Sequence, residues 1–366
     1  MSQTPIPYLF MRGGTSRGPY FNRADLPQDT DQLAKVLVSA LGSGHPLNID
    51  GIGGGNAVTT KVAMLSKSTD PWADIDYFFA QVSVEDGLVD FKPTCGNILS
   101  GVASAAIEMG LYPASKGETS LRIRAVNTGA EILAKVQTPN GLISYAGEAV
   151  IDGVPGSAAP VELNFMKVAG SSTGTFLPTG NVTDKIDGMN VTCMDVAMPM
   201  VIARAEGFGL TGYETRDELD ANTAFFERME AIRIKSGAAM GMGDVRKSVT
   251  PKFGLLAPAR QDGSVATRYF MPWKTHPTMA VTGSQCLASC VLTPGTVADG
   301  LVKRPAHSPA KITLEHPMGL MDVLVDYQLN GDEFEHKSAG LIRTCRKIAQ
   351  GQIFIPSEVW DGRTRR

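Results

Sequence analysis

With 366 residues, 43% of them hydrophobic and 19% charged, the chain holds enough material for two domains, or one large one, each with an ample core. The formal net charge is −3 and no run of Lys or Arg forms a nucleic-acid footprint; the basic cluster Arg363–Arg366 reads as a frayed end. No stretch approaches the roughly 18 apolar residues that span a bilayer, and the opening MSQTPIPYLFMRGG is too interrupted by Pro and Arg for a signal peptide.

Pro7–Phe10 reads as a strand running into Met11-Arg12-Gly13-Gly14-Thr15-Ser16-Arg17-Gly18, a glycine-rich loop with two guanidinium groups and two hydroxyls. Arg forks grip carboxylates bidentately, which makes Arg12, Thr15 and Ser16 candidate substrate ligands. A hairpin turn with solvated arginines is the equal alternative. Ile52-Gly53-Gly54-Gly55-Asn56 then leads through Thr59 and Thr60 to Lys61, the first residue of an expected strand Lys61–Lys67. A lysine beside such a turn suggests an anion cradle. The GxxxxGK(S/T) spacing is missing and no helix follows, so a nucleotide P-loop is not indicated. A merely solvated lysine is the plain alternative. A turn at Asp70-Pro71 and a strand Asp76–Phe79 come next.

Thr94–Met109 carries only one charge, Glu108, and ends before Gly110, which suits a C′ position. A helix apolar or small all round belongs in a core. Cys95-Gly96-Asn97 falls where this helix begins, so free backbone N–H groups and the positive end of the helix dipole should meet there. That setting lowers a thiol pKa and favours bound carboxylates. The alternative is a helix start with a small buried Cys. Leu121–Val126, Ala130–Gln137 and Leu142–Tyr145 are patterned as strands, with turns at Asn127-Thr128-Gly129 and Pro139-Asn140-Gly141. Asn127-Thr128-Gly129 reads more simply as a turn than as a ligand contact. The polar, turn-rich stretch Gly180–Gly188 reads as the join between domains.

Asp217–Ala239 is a charge-bearing, amphipathic surface helix by its pattern. Lys252–Pro258, a turn at Asp262-Gly263 and Arg268–Met271 repeat the strand–turn–strand reading. Lys274-Thr275-His276-Pro277 precedes a second uncharged helix, Thr278–Leu292. His276 invites an acid/base or binding role against a structural one, and Gly283 and Ser284 lie near that helix's beginning. Cys286 is a partner thiol for a two-cysteine epimerase or, more safely, core packing; Cys193, Cys290 and Cys345 read as small buried hydrophobes. The five cysteines form no CxxC pair and no disulfide framework, which points to reduced thiols in the cytoplasm. The five histidines form no HxxH or HExxH arrangement, so no metal is expected.

Lys-x-(Ala/Gly)-x-Leu, a hairpin turn, Tyr-Phe, a loop and a Gly-bearing apolar helix thus occur twice, from Lys61 and from Lys252. This reads as a duplicated unit, with several strands around one buried helix in each copy: α+β rather than a doubly wound sheet. The expected division is an N-terminal domain over 1–184, a C-terminal domain over 185–356 and a tail over 357–366.

MRGGTSRG, IDGIGGGN with TTKVA, TCGN with SG, VNTG, IDGVPG, the Thr192–Pro199 segment TCMDVAMP, GYE and EHPMG together resemble the 2-methylaconitate cis–trans isomerase family, which includes 4-oxalomesaconate tautomerase and 3-methylitaconate isomerase. The likeness runs from about Ile6 to Ile355 and leaves out the tail. It implies a diaminopimelate-epimerase-like fold, two pseudo-repeated domains each wrapping a β-sheet around a central buried helix, with the active site in the cleft between them. It also implies an allylic 1,3-proton shift without cofactor on a small unsaturated di- or tricarboxylate: 4-oxalomesaconate, 2-methylaconitate, aconitate or 3-methylitaconate. The family's catalytic lysine falls on Lys61 and its active-site cysteine on Cys95. Arg12, Thr15, Ser16, Thr60, Gly96, Asn97, His276, Gly283 and Ser284 are then the expected substrate contacts. Where the epimerases carry a second catalytic Cys-Gly, this chain has Thr282-Gly283-Ser284, which favours isomerisation over two-thiol epimerisation. The IDGIGGGN wording is closer to the oxalomesaconate branch. The expected partner is the substrate alone, without nucleic acid or membrane, and homodimerisation is left open. Two other readings remain at this level: a carboxylate-binding accessory protein without turnover, and a thiol-dependent epimerase.

Overall fold

The computed structural model describes residues 3–331 and 333–362. The chain forms two compact units, Met1–Leu163 with Ile342–Arg366, and Asn164–Leu341.

In the first unit the strands are β1 (Gln3–Gly13), β2 (Ser16–Asn22), β3 (Lys61–Lys67), β4 (Ile75–Val82), β5 (Val89–Asp90), β6 (Gly117–Ala125), β7 (Ala130–Thr138) and the start of β8 (Pro160–Met166). Its helices are α1 (Thr30–Leu41), α2 (Gly96–Leu99) and α3 (Val102–Glu108). The sheet order is β1-β2-β3-β4-β6-β7-β8, with β5 paired to β4. Period-two alternation sorts the side chains. Val62, Met64, Ala80 and Val82 pack with Leu33, Val36, Leu37 and Leu41 of α1 on one face. The opposite face carries Lys61, Ala63, Tyr77, Phe79 and Gln81, and α2 packs on β1, β2 and β3. The Asp29 carboxylate caps α1 by accepting from Gln32 N, and Gly42 closes it at φ 69°.

The second unit holds β9 (Asp184–Ile186), β10 (Met189–Asp195), β11 (Pro199–Arg204), α4 (Arg216–Ala221), α5 (Thr223–Ala239), β12 (Lys252–Pro258), β13 (Val265–Phe270), α6 (Val281–Leu292), β14 (Ala310–His316) and β15 (Gly319–Asn330). β16 (Glu333–Pro356) begins in this unit beside β15 and ends in the first unit, antiparallel to β1 from Gly13↔Cys345 to Gln3↔Pro356. Cys286, Leu287, Cys290 and Val291 of α6 fill one face of the sheet. Leu219, Phe225, Met229 and Ile232 of α4 and α5 cover the other.

The duplication is explicit in the pairings. β1-β2-β3-β4-β6-β7 runs antiparallel, parallel, antiparallel, parallel, antiparallel, and β10-β11-β12-β13-β14-β15 repeats that series. In both copies helix lies in the first parallel crossover, α1 in one and α4 with α5 in the other, and the core helix lies in the second. The α+β class is therefore as the sequence indicated.

Four details differ from the sequence reading. The division falls at 163/164 and 341/342 instead of 184/185, because Gly180–Gly188 is built into the second unit: Thr183 Oγ1 donates to Gly295 O and Asp184–Ile186 forms β9. The last residues are not a free tail up to Gly362, since Gln32 Nε2 donates to Val359 O and Thr4 Oγ1 to Trp360 O; Arg363–Arg366 lie outside the described residues. The first core helix is not continuous. Tyr20 Oη donates to Ile98 O at 2.5 Å, and a Cβ on Gly101 would stand 2.4 Å from that oxygen, so the tyrosine occupies the break between α2 and α3. Leu142–Tyr145 forms no strand; past the turn, Ser144 N–H to Gln137 O is its one bond back to β7, and Leu142 is 74% exposed.

One buried group gives this unit a pH signature. Neither ring nitrogen of His336 reaches solvent or a hydrogen-bond partner, and the ring packs near Phe176 at 6.0 Å. Burial pulls its pKa down to about 4, against a small upward pull from Asp326. An ordinary His in the unfolded chain titrates near 6.5, so the folded state is favoured above that pH and loses the advantage as pH falls towards 4, by on the order of 3 kcal/mol. His336→Phe should remove this dependence: its melting temperature relative to the parent rises as pH is lowered from 7 to 4.5 in calorimetry, where a structural role alone gives a constant offset.

Candidate functional site

Lys61 opens β3, opposite Gln81 of β4. Its Nζ donates to Gln81 Oε1 at 2.6 Å and stands 5.4 Å from the centroid of Phe79, half-buried. No carboxylate pairs with it among the described residues. Thr60, just before it, is buried, with Oγ1 donating to Val82 O at 2.8 Å and facing Asn56 O at 3.3 Å. It anchors the turn and is not free for a ligand. The glycine-rich segment before it is held from within: Asn48, buried at a positive φ of 48°, donates to Gly42 O, His45 O and Val84 O and accepts from Gly55 N.

Cys95 is the N-cap of α2 at φ −135°, with no side-chain cap of its own. It is partly exposed, whereas Cys193, Cys286, Cys290 and Cys345 are buried and all five thiols are free. The first bond of the helix is Leu99 N–H to Cys95 O at 2.9 Å, which leaves the N–H groups of Gly96 and Asn97 ahead of the ladder. Because α2 has only four residues before the break, these N–H groups rather than a long macrodipole are what the position offers. A Cβ on Gly96 would meet nothing within 4 Å. Tyr77 Oη donates to Cys95 O at 3.3 Å, and the Tyr77 and Phe79 rings are 6.4 Å apart. Lys61, Phe79, Tyr77 and Cys95 thus form a series along one face of β3 and β4. Lys61 and Cys95 share no direct hydrogen bond.

The segment from Met11 to Gly18 is a tight hairpin and not an open loop, since Gly13 pairs with Ser16. Arg12 lies on the strand. Its NH1 donates to Gly14 O at 2.8 Å and to Thr344 O at 3.0 Å, and burial lowers its pKa from the usual guanidinium value. One terminal nitrogen of its fork is therefore engaged with backbone. Thr15 is exposed at the tip and its N–H reaches Asn97 Oδ1 at 3.4 Å. Ser16 is buried with its hydroxyl unpartnered. The hairpin sits tight against both neighbours: a Cβ on Gly14 would be 2.2 Å from Asn97 Oδ1, and one on Gly18 would be 1.7 Å from Lys61 O. Arg12, Thr15, Ser16, Thr60, Lys61, Cys95, Gly96 and Asn97 all lie in the first unit, where the hairpin approaches Asn97 at its tip and Lys61 at Gly18. Arg17 points elsewhere, its guanidinium 5.7 Å from the Phe10 ring.

His276, Gly283 and Ser284 belong to the second unit. His276 Nδ1 accepts from Thr278 N at 3.0 Å, which places the ring proton on Nε2, and burial lowers its pKa below the usual histidine value. Ser284 Oγ is buried and donates to Val281 O at 2.8 Å; Gly283 is buried against Tyr269, whose ring a Cβ would meet at 2.2 Å. In this conformation the side chains on that turn that keep solvent access are Val281 and Thr282. Cys286 lies wholly inside, with burial pushing its pKa well up and Sγ facing Met194 O at 3.6 Å. It is core, and the two-thiol arrangement is absent.

Sequence reasoning missed Gln81, Phe79, Tyr77 and Tyr20. Alternation along Tyr77-Phe-Phe-Ala-Gln81 places three of them on one face. What it does not give is the register that sets Gln81 against Lys61.

The first unit thus carries a lysine with a neutral partner and a partly exposed thiol at a bare helix start, on a duplicated α+β scaffold. The chain belongs to the PrpF protein family, whose model matches residues 3–356. It is 49% identical to YbhH of Escherichia coli over 96% of this chain and 99% of that one. It is 43% identical to the 4-oxalomesaconate tautomerase of Pseudomonas putida over 99% of both. The structure of a methylitaconate-delta-isomerase superposes with a TM-score of 0.89 at 32% identity, covering 98% of this chain and 97% of that chain. Among the described residues no helix is long and apolar enough to cross a membrane.

Two glycines separate packing from access. Gly18→Ala forces its methyl into the Lys61 carbonyl and should cost about 1–3 kcal/mol, lowering the melting temperature by roughly 2–12 °C together with activity. Gly96→Ala has room and a helical backbone, so its melting temperature should stay within roughly 2 °C of the parent while KM for substrate rises severalfold. Thermal unfolding and steady-state kinetics on the pair check both outcomes.

Proposed function

We propose that this PrpF-family isomerase catalyses a cofactor-independent 1,3-proton shift in a small unsaturated di- or tricarboxylate, with 4-oxalomesaconate as the first candidate. The names of the relatives support the substrate class, and the site supports the chemistry. The observation that carries the reading is Lys61: a half-buried amine held by the neutral oxygen of Gln81, with no carboxylate partner among the described residues, on the same sheet face that leads to Cys95.

In this scheme the Lys61 amine takes a proton from the carbon next to the unsaturated system. The C–H electron pair passes into a dienolate whose charge spreads onto carboxylate oxygen. The N–H groups of Gly96 and Asn97, with the Ser16 hydroxyl, stabilise that charge, each preorganised donor contributing about 3–4 kcal/mol at best. The same ammonium returns the proton two carbons away, roughly 2.5 Å, a distance a four-carbon side chain covers. The double bond has then moved, and atoms and charge balance without an added reagent. Cys95 assists as a donor to the dienolate or as a second acid/base. Arg12 orients a carboxylate through what its backbone bonds leave free.

NMR in D₂O with oxalomesaconate, methylaconitate, aconitate and methylitaconate tests this. One of the four should isomerise with deuterium wash-in. Lys61→Met should abolish both processes, whereas Cys95→Ser keeps measurable turnover. Exchange that survives Lys61→Met but disappears in Cys95→Ser reverses the two roles. Binding of every candidate without exchange would leave a carboxylate-binding protein.

A further inference from the structure

Gln81 stands directly opposite Lys61 in the β3–β4 register. Its Oε1 accepts from Lys61 Nζ at 2.6 Å. Its Nε2 is ringed by acceptors: Ala57 O and Val82 O at 3.1 Å, Thr60 Oγ1 at 3.3 Å and Thr60 O at 3.4 Å. This decides the amide orientation. Turned over, Oε1 would face three carbonyls and a hydroxyl whose own hydrogen is given to Val82 O, and the NH₂ would face the lysine's donors. The oxygen is therefore fixed towards Nζ by backbone on both sides of the hairpin.

The partner's charge matters as much as its place. A carboxylate there would make an ion pair that favours the ammonium strongly. A neutral amide oxygen holds the amine by one N–H, strengthens as the nitrogen gains a proton, and leaves the remaining valences pointing away from the sheet. The second unit offers an internal comparison. Lys252 opens β12 as Lys61 opens β3, and the register Phe253↔Phe270 puts Met271 where Gln81 stands. Lys252 is half-buried and its amine makes no hydrogen bond among the described residues. The duplicated scaffold thus places a lysine twice and supplies an oriented acceptor once.

We propose that Gln81 is the positioning residue of the reaction, holding the Lys61 amine in place through a neutral, locked carbonyl. This rests on the reading of Lys61 as the base, and the experiment separates the two. Lys61→Met, Gln81→Met (the second unit's own solution) and Gln81→Glu are compared by kcat, KM and the pH profile of kcat/KM, with melting temperatures as a fold check. The expected result is an inactive Lys61→Met and a Gln81→Met whose kcat falls at least tenfold while KM changes less than threefold. The acid limb of kcat/KM should move down in Gln81→Met and up by about one pH unit or more in Gln81→Glu, where an anion faces the amine. A mere packing role moves neither limb. If Gln81→Met does not fold, the Gln81→Glu limb decides alone: unchanged, it overturns the proposal. An inactive Lys61→Met beside a Gln81→Met with parental kcat and profile overturns the role of Gln81 and leaves the Lys61 reading intact. An active Lys61→Met overturns that reading itself.

Discussion

Tyr20 is wholly buried, and its hydroxyl bonds the Ile98 carbonyl across 2.5 Å. That one bond joins β2 to the end of α2, and most of the first unit's site follows from it. It fills the space that a continuous helix would need, so α2 stops after a single turn and Gly101 must lack a side chain. It draws the β1–β2 hairpin against Asn97, which in turn requires glycine at Gly13 and Gly14. Burial and the nearby thiols hold the phenol far from ionising, so at any ordinary pH it remains a donor. Tyr77 performs the matching task from β4, donating to Cys95 O. Two protonated tyrosines thus fix the first turn of the helix from two strands, and the strand that lies between them carries Lys61.

This arrangement explains why the site is crowded with glycine without being flexible. Gly13, Gly14, Gly18 and Gly101 are places where another backbone, the Asn97 amide or a ring occupies the volume of a side chain. Gly96 alone among the site glycines faces open space. Crowding and access are different reasons for the same residue type, and only the structure tells them apart.

The fold class and the duplication were legible because they rest on local signals: alternation, turn residues and two uncharged helical runs, each repeated at matching offsets. Lys61 and Cys95 were legible as ends of elements, one opening a strand and one opening a helix. The break at Ser100-Gly101 was not, since nothing local stops a helix there; a tyrosine about eighty residues earlier does. Ser284 looked available because it sits near a helix start, yet its hydroxyl turns back to Val281 O and its surroundings are core. Gln81 was invisible for a related reason. Its meaning lies in being opposite Lys61, and a one-residue slip of the register would have turned it to the other face.

The two copies of the scaffold have diverged in the features that a one-sided proton transfer would need. The first keeps a partly exposed thiol at its core helix start; in the second the corresponding helix buries Cys286 inside its second turn, where burial keeps the sulfur protonated. The first pairs its strand-opening lysine with an oriented amide; the second sets Lys252 opposite Met271 and surrounds it with positive charge from Arg233. An epimerase must deliver and remove protons on opposite faces of one carbon, which requires two competent acid/base groups on opposite sides. A 1,3-shift along one face requires a single mobile base and fixed donors for the intermediate. With Lys61 as the proposed base, only the first copy sets an oriented amide against its lysine and a partly exposed thiol at its helix start, an asymmetry that suits moving a double bond along one face better than inverting a centre.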